Sequence, residues 1–296
     1  MKIYDCTNYF NEDLMYGLRL EILDKYVDKF VVAESKYTHS GQPKKLHFDI
    51  NRYSKFKNKI IYIVVEDEPS DLIDLSGLPT NQAQGMKRVN SLKRIKQQYD
   101  ILKDGIGEAN DNDLIILSDC DEIPNLTSLG NFKLKKILIF EQLLFYYKFN
   151  LYHNSKIWHG SKACLKKDLV TFNQLRNIKN KKYPLWRIDT LFSKNKYNNV
   201  KFVDNGGWHF TNMKTPEEIF SKLNSFLHNV DFKLSGLNLD DVKEMVSKKK
   251  IGYDHFADQR KVDRWNSQIT LKAVDISILP KYISDNKEKF KDWLEL

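Results

Sequence analysis

Three carboxylates fall within one short stretch, Ser118-Asp119-Cys120-Asp121-Glu122-Ile123-Pro124, directly after four aliphatic residues, Leu114-Ile115-Ile116-Leu117. Residues two apart on an extended segment point to one side, so Asp119 and Asp121 can offer oxygen ligands to a single divalent cation. Mg²⁺ and Mn²⁺ favour such ligands and often complete their shell with substrate phosphates. Left without a cation, carboxylates this close repel one another. In an open α/β sheet, ligands gather beyond the carboxyl ends of the strands, the position this cluster would occupy. An isolated Asp-x-Asp serves equally well as a turn or helix cap. The preceding strand, the third acid and the closing Pro124 favour a site that binds a metal and a phosphate-bearing ligand.

A second chemistry fits part of the same pattern. An apolar strand followed by Asp119-Cys120-Asp121 approximates the Asp-x-Asp-x-Thr/Val motif of haloacid-dehalogenase-type phosphatases, with Asp119 as the nucleophile. That motif usually opens a chain, whereas here a long stretch precedes it, and Ile123 departs from the usual Thr or Val.

The elements that must position this cluster are legible from periodicity. Residues 2–4, 30–33, 60–65 and 114–117 read as strands. Leu14, Leu18 and Ile22 mark an amphipathic helix over residues 12–26. Met86, Val89, Leu92, Ile95, Tyr99 and Leu102 line a longer helix that ends near Gly105 and Gly107. Between residues 67 and 80, Pro69, Gly77 and Pro79 mark a turn-rich connection. This alternation predicts an α/β sheet with crossover helices. Residues 136–151 predict strand structure with a turn, and 158–165 and 185–193 short strands or ordered loops. Helical patterns follow over 216–228, 239–249 and 282–294.

Bulk properties exclude several classes. With 41% hydrophobic and 12% aromatic residues, the 296-residue chain can bury a substantial core and is not a disordered protein. No run approaches the roughly 18 apolar residues of a membrane span. The start, Met1-Lys2-Ile3-Tyr4-Asp5, meets polar residues too early for a signal peptide, so a cytoplasmic chain is expected. Cys6, Cys120 and Cys164 form no Cys-x-x-Cys pair and suggest neither a zinc site nor a disulfide framework. The net charge of +9 would suit an anionic partner, and a non-catalytic basic binding module is a third reading. The lysines are scattered, as at Lys44-Lys45 and Lys181-Lys182, without a basic stripe interleaved with aromatics. No nucleic-acid partner is therefore expected.

Several blocks, taken in order, resemble the family 17 glycosyltransferases, the β-1,4-mannosyl-glycoprotein 4-β-N-acetylglucosaminyltransferase type. They are Phe10-Asn11-Glu12 with Leu18-Arg19-Leu20, then residues 27–38 including Glu34-Ser35-Lys36-Tyr37-Thr38, and Gly41-Gln42-Pro43-Lys44. Asp119-Cys120-Asp121-Glu122-Ile123-Pro124, Gly207-Trp208-His209 and Pro280-Lys281-Tyr282 complete the set. The resemblance implies an inverting transfer of N-acetylglucosamine from UDP-GlcNAc to a hydroxyl of an acceptor glycan. A GT-A-type (Rossmann-like) α/β fold and a divalent cation, Mn²⁺ or Mg²⁺, would accompany it. On that basis residues 1–212 are expected to form the catalytic domain, divided into a nucleotide-sugar half (1–125) and an acceptor-side half (126–212). Residues 213–296 would be a helical C-terminal extension.

Roles can then be assigned. Asp119 and Asp121 would bind the metal and diphosphate, with Ser118 beside them. His209, after Gly206-Gly207-Trp208, would be a third metal ligand or else a packed core histidine; the paired glycines would let backbones approach closely. Glu34 and Ser35, at the end of a buried strand, could receive the uridine or ribose, or Glu34 could cap the next turn. Arg88 and Arg94 could reach the donor phosphates or lie on a solvated helix face. A general base is needed between the Asp-x-Asp strand and the late histidine. Asp189 leads, Glu122 is possible, and Glu141, Asp168 and Asp204 are alternatives. Gly160 would shape the acceptor side. Trp158, Trp186 and Trp208 could stack on sugars or belong to the core.

Overall fold

Short aliphatic runs buried on both faces form the centre of a sheet that counts nine strands among the described residues. The computed structural model describes residues 1–129, 136–225, 232, 235–252 and 269–295. Strands β1 (Ile3–Asn8), β2 (Lys29–Ser35), β3 (Ile60–Val65) and β4 (Leu114–Ser118) are all parallel, in the order β3-β2-β1-β4. Helix α1 (Asp13–Leu23) joins β1 to β2, and α2 (Thr80–Asp100) lies between β3 and β4. Alternate residues of each strand serve opposite layers. Leu114 and Ile116 join Phe30 and Val32 in one core with Tyr16 and Leu20 of α1. Ile115 and Leu117 join Val31 and Ala33 in another with Ile95 and Tyr99 of α2. Burial on both faces explains why these strands read as continuous apolar runs.

Strand order reverses between β1 and β4. Successive strands add to one side of β1 until β3, and β4 then takes the other side. The carboxyl ends of β1 and β4 thus flank a topological switch point, where open α/β sheets bind ligands.

The sheet continues from β4 through β7 (Leu151–Leu165), β6 (Ile137–Tyr146) and β8 (Val200–Thr211) to β5 (Glu122–Pro124). The stretch expected as strand with turn over 136–151 is β6 and the turn into β7. The short strand expected over 158–165 is the second half of the 15-residue β7. β7 runs antiparallel to both β4 and β6. Helix α3 (Phe172–Asn177) follows it. Residues 185–193 contain no strand: a 3-10 turn spans Ile188–Thr190, and Leu185, Trp186, Leu191 and Phe192 are exposed.

Later helices are α4 (Pro216–Ser225), α5 (Leu239–Ser247) and α6 (Lys281–Asp285). Residues 226–228 of the helix expected over 216–228 lie outside the described residues. The helix expected over 282–294 divides at Asn286 into α6 and a 3-10 helix, Lys287–Trp293. A short strand, β9 (Lys272–Ala273), pairs with the start of β7. Leu279, Ile283, Phe290 and Leu294 pack into the same core as β2 and β4. All three cysteines are free and buried. Among the described residues, no helix is long and apolar enough to cross a membrane.

Candidate functional site

β4 ends at Ser118, and the chain turns through Asp119, Cys120 and Asp121 before rejoining the sheet as β5. The apolar Cys120 is buried in the core and pins the middle of the turn, while Asp119 and Asp121 on either side face a cleft. Arg19 of α1, fully buried, holds the turn from below. Its guanidinium forms a bidentate pair with Asp5 of β1 and donates from Nη1 to the Glu122 carbonyl oxygen at 2.5 Å. Ser118 Oγ donates to Ser161 Oγ of β7 at 2.7 Å, which places Ser118 behind the turn.

Glu122 completes the support. One carboxylate oxygen accepts from the Asp119 backbone N–H at 3.0 Å and the other from Trp158 Nε1 at 2.6 Å. Burial, with the nearby Asp119 charge, pushes its carboxyl up to about 7, against the opposing pull of His209 and the Trp158 N–H. Glu122 thus shapes the turn and does not line the cleft. Gly160 sits in mid-strand, not in an acceptor loop. A Cβ there would stand 2.1 Å from Gln142 Oε1 and 2.7 Å from the Glu122 carboxyl carbon, so glycine makes the space that Glu122 fills. Gly207, at φ +129°, lets β8 pass beneath β5; a Cβ would meet the Ile123 carbonyl oxygen at 2.1 Å. The pairing this allows sets Glu122 opposite His209.

The cleft has a volume of about 780 Å³, within the range of small-molecule sites. Its wall draws on two groups of elements. Asn8, Ser35, Tyr37, His39, Gln98 and Tyr99 come from the parallel strands, their loops and α2, joined by Arg176 of α3. Tyr147, Trp158, His209, Thr211 and Asn212 belong to the second group, with side chains of α4 and α5. Asp119 faces the first group. The Tyr99 hydroxyl donates to its Oδ1, and Arg176 Nη2 lies 3.4 Å from its Oδ2 while stacking 4.9 Å over the Tyr99 ring. Asp121 faces the second group, its Oδ1 3.4 Å from His209 Nε2.

Electrostatics follow from these contacts. Burial pushes Asp121 up, but the His209 imidazole and Lys222 more than offset it and hold the carboxyl at about 2. His209 is correspondingly raised despite its burial, because of Asp121. Its Nδ1 is buried without a hydrogen-bond partner among the described residues. Glu12, at the start of α1, lies 3.9 Å from Lys222 Nζ on the cleft wall. Burial lifts its carboxyl to about 7 against the pull of Lys222.

The expected metal set comes together only in part. Asp121 and His209 are adjacent and Asp119 borders the same cleft, but among the described residues no three His, Cys, Asp or Glu side chains stand close enough to hold an ion. Two carboxylates and an imidazole are the donor types that suit a hard or borderline divalent cation whose shell is completed by substrate phosphates. The residues therefore fit such a cation jointly with a diphosphate.

Other expected residues fall elsewhere. Glu34 is buried and accepts from Lys44 Nζ, the His47 and Phe48 backbone N–H groups and the Tyr62 hydroxyl, folding the 36–48 loop around itself as its capping alternative expects. Ser35 lines the cleft, where its Oγ accepts from the Tyr37 N–H. Arg88 is exposed on α2, and Arg94 is paired with Glu68; neither belongs to the cleft wall. Asp189 is tied to Arg187 and Lys196 outside the cleft. Hydrogen bonds from those two cations hold its carboxyl well below the usual range, so it is a poor proton acceptor. Glu141 faces His159, Asp168 faces Lys136, and Asp204 is exposed. Trp186 is exposed, whereas Trp208 donates to the Ile278 carbonyl. Trp158 does reach the cleft, its ring centroid 4.6 Å from that of His209.

Sequence patterns gave no part to Arg176, His39 or Lys222, read Tyr99 only as part of a helix's apolar face, and gave Glu12 a helix start and a place in a family block but no role. For Glu12 the available signals were its place just past the carboxyl end of β1 and its membership of the Phe10-Asn11-Glu12 block. Lys162 adds a support: buried in β7, it donates to the carbonyls of Arg176 and Ile178, both at 2.6 Å. Burial lowers its ammonium to about 8.

His39 yields a pH prediction. Burial lowers its imidazole from 6.5 to about 4. Between those values the unfolded chain binds a proton that the folded one refuses, so stability falls as pH drops through the window, by up to about 3 kcal/mol. Urea denaturation at pH 7 and pH 4.5 should show a smaller acid loss for His39→Asn than for the parent chain. Equal losses would remove His39 from the account.

No curated protein matches the chain. The family model described as Glycosyltransferase family 17 matches residues 1–295. Together with an acidic turn set at the switch point of an α/β sheet, that match over essentially the whole length shows that the chain belongs to glycosyltransferase family 17.

Proposed function

We propose that this glycosyltransferase transfers a sugar from a UDP donor, most simply N-acetylglucosamine, with inversion to a hydroxyl of an acceptor glycan, using a divalent cation. The proposal includes a GT-A-type fold over residues 1–212 and a helical C-terminal extension from 213. Family membership sets aside the phosphatase reading of Asp119 and the non-catalytic basic module. One observation carries the proposal: a single cleft at the switch point brings Asp119, the Asp121–His209 pair and Arg176 together.

Asp119 and Asp121 would hold the cation with the donor diphosphate, His209 fixing the Asp121 carboxylate. Bound there, the cation offsets charge developing on the leaving diphosphate. Arg176, braced by Lys162, presents its guanidinium to the same phosphates. The wall of Ser35, Tyr37, His39 and Gln98 is left for the nucleoside. With Asp119 and Asp121 engaged, Glu12 is the remaining carboxylate on the described cleft wall. It accepts the acceptor's hydroxyl proton as that oxygen attacks the anomeric carbon from the face opposite the diphosphate.

A panel of UDP and GDP sugars, each with and without Mn²⁺, tests this by melting temperature and turnover. A UDP sugar with Mn²⁺ should raise the melting point, because ligands that bind only the folded state stabilise it. Glu12→Gln should keep that rise yet lose about 10²-fold or more in transfer. Failure of every UDP sugar to bind or react would end the proposal.

A further inference from the structure

Beyond Asp121 the cleft changes character. Near the acidic turn its wall is polar, with Thr211, Asn212, Lys222 and Glu12. Elsewhere on the same wall, Leu223 of α4, Phe232, Leu237, Val242 and Met245 of α5, and Ile251 present an aliphatic and aromatic surface. We infer that this lobe receives an apolar aglycone, a hydrocarbon chain or similar group joined to the acceptor sugar. The inference rests on the transferase reading above and adds the chemical class of its acceptor.

Two physical points carry it. A buried sugar hydroxyl needs a hydrogen-bond partner, and these side chains offer none. A glycan branch threaded here would lose its hydration without compensation, whereas each buried methylene strengthens binding about three- to fourfold. The second point is the open volume. Phe232, Val242 and Ile251 are buried members of one apolar cluster with Leu144 and Tyr146, yet they border a cavity. Among the described residues nothing fills that space, and apolar side chains around unfilled space cost stability. An apolar pocket continuous with a reactive centre is the usual form of a ligand site. On this inference the reacting hydroxyl lies near Glu12 and Asp121 and the aglycone against the apolar cluster of α4 and α5.

The test uses the full chain with the donor found in the panel above. Methyl, octyl, dodecyl and p-nitrophenyl glycosides of one acceptor sugar are compared with a glycopeptide carrying the same sugar. KM should fall at least tenfold from methyl to octyl, with kcat little changed. A further fall at dodecyl marks a linear chain, whereas preference for p-nitrophenyl marks an aryl group. Leu223→Gln and Met245→Gln, both at partly buried positions, should abolish the chain-length dependence while leaving donor hydrolysis without acceptor unchanged. Equal KM for methyl and octyl glycosides, or a glycopeptide preferred over both, overturns the inference. If no nucleotide sugar reacts, the transferase proposal has failed separately. The lobe is then read by displacement of 1-anilinonaphthalene-8-sulfonate with octyl glycoside, which must occur in the parent chain and weaken in both variants.

Discussion

Asp121→Ala should lower sugar transfer by about 10³-fold, the several kcal/mol that a positioned cation contributes where negative charge develops. The residue does two things at once. It gives the cleft a carboxylate that His209 keeps ionised, and it partners the buried imidazole 3.4 Å away. Alanine removes both, so the Mn²⁺-dependent rise in melting temperature should vanish with the activity. Asp121→Asn separates the effects: it retains volume and a hydrogen-bonding group for His209 but loses the anionic oxygen. It should fold like the parent and still transfer poorly. Single-turnover assays alongside circular dichroism measure this, and a well-folded Asp121→Ala protein with more than a tenth of parent activity would remove Asp121 from the cation site.

The second large effect concerns stability. Arg19→Met leaves Asp5 as a buried charge without its partner and frees the Glu122 carbonyl, both inside the core. Breaking a buried pair from one side costs about 3–5 kcal/mol, a large share of the roughly 5–15 kcal/mol that holds a typical domain together. Replacing both partners, as in Arg19→Met with Asp5→Leu, should recover much of that loss, since apolar groups of similar volume can substitute for a buried pair. Urea midpoints of the two singles and the double decide it. An Arg19→Met protein within 1 kcal/mol of the parent would mean that Asp5 is satisfied without the guanidinium, by water or by taking up a proton. The double variant should still transfer less than the parent, because no donor then holds the turn at Glu122.

The parallel half of the sheet was legible because its strands are buried on both faces and its helices on one, so period alone marked Leu114 to Leu117 and the Leu14-Leu18-Ile22 stripe. The acidic turn was legible for a related reason: only a strand end would place Asp119 and Asp121 so directly after four aliphatic residues. The two readings of Glu34 could not be separated in the sequence because its partners come from a loop 10 to 14 residues further on, Lys44 to Phe48, and no local pattern shows that the loop folds back. Asp189 was attractive by position between two landmarks, but Arg187 and Lys196, two and seven residues away, claim it. Arg176 escaped notice because its place depends on β7 crossing beside β4, a long-range pairing that period-two alternation does not specify. The length of β7 itself was hidden where polar residues such as Asn154 and Lys156 interrupt its apolar pattern.

That strand has a consequence for anyone who would cut or rewire the molecule. β7 pairs Lys162 to Leu165 with β4, Tyr152 to Ala163 with β6, and Leu151 and Tyr152 with β9. A fragment ending near residue 125 would leave the aliphatic β4 as an open edge, ready to recruit strands from other copies. Its complement would keep β7 without the partner that covers Cys164 and Ala163. Neither piece can serve as a transplantable module, so swapping segments between relatives demands that β4 and β7 travel together. The seam between the two sides of the cleft is a hydrogen-bonded ladder, not a hinge.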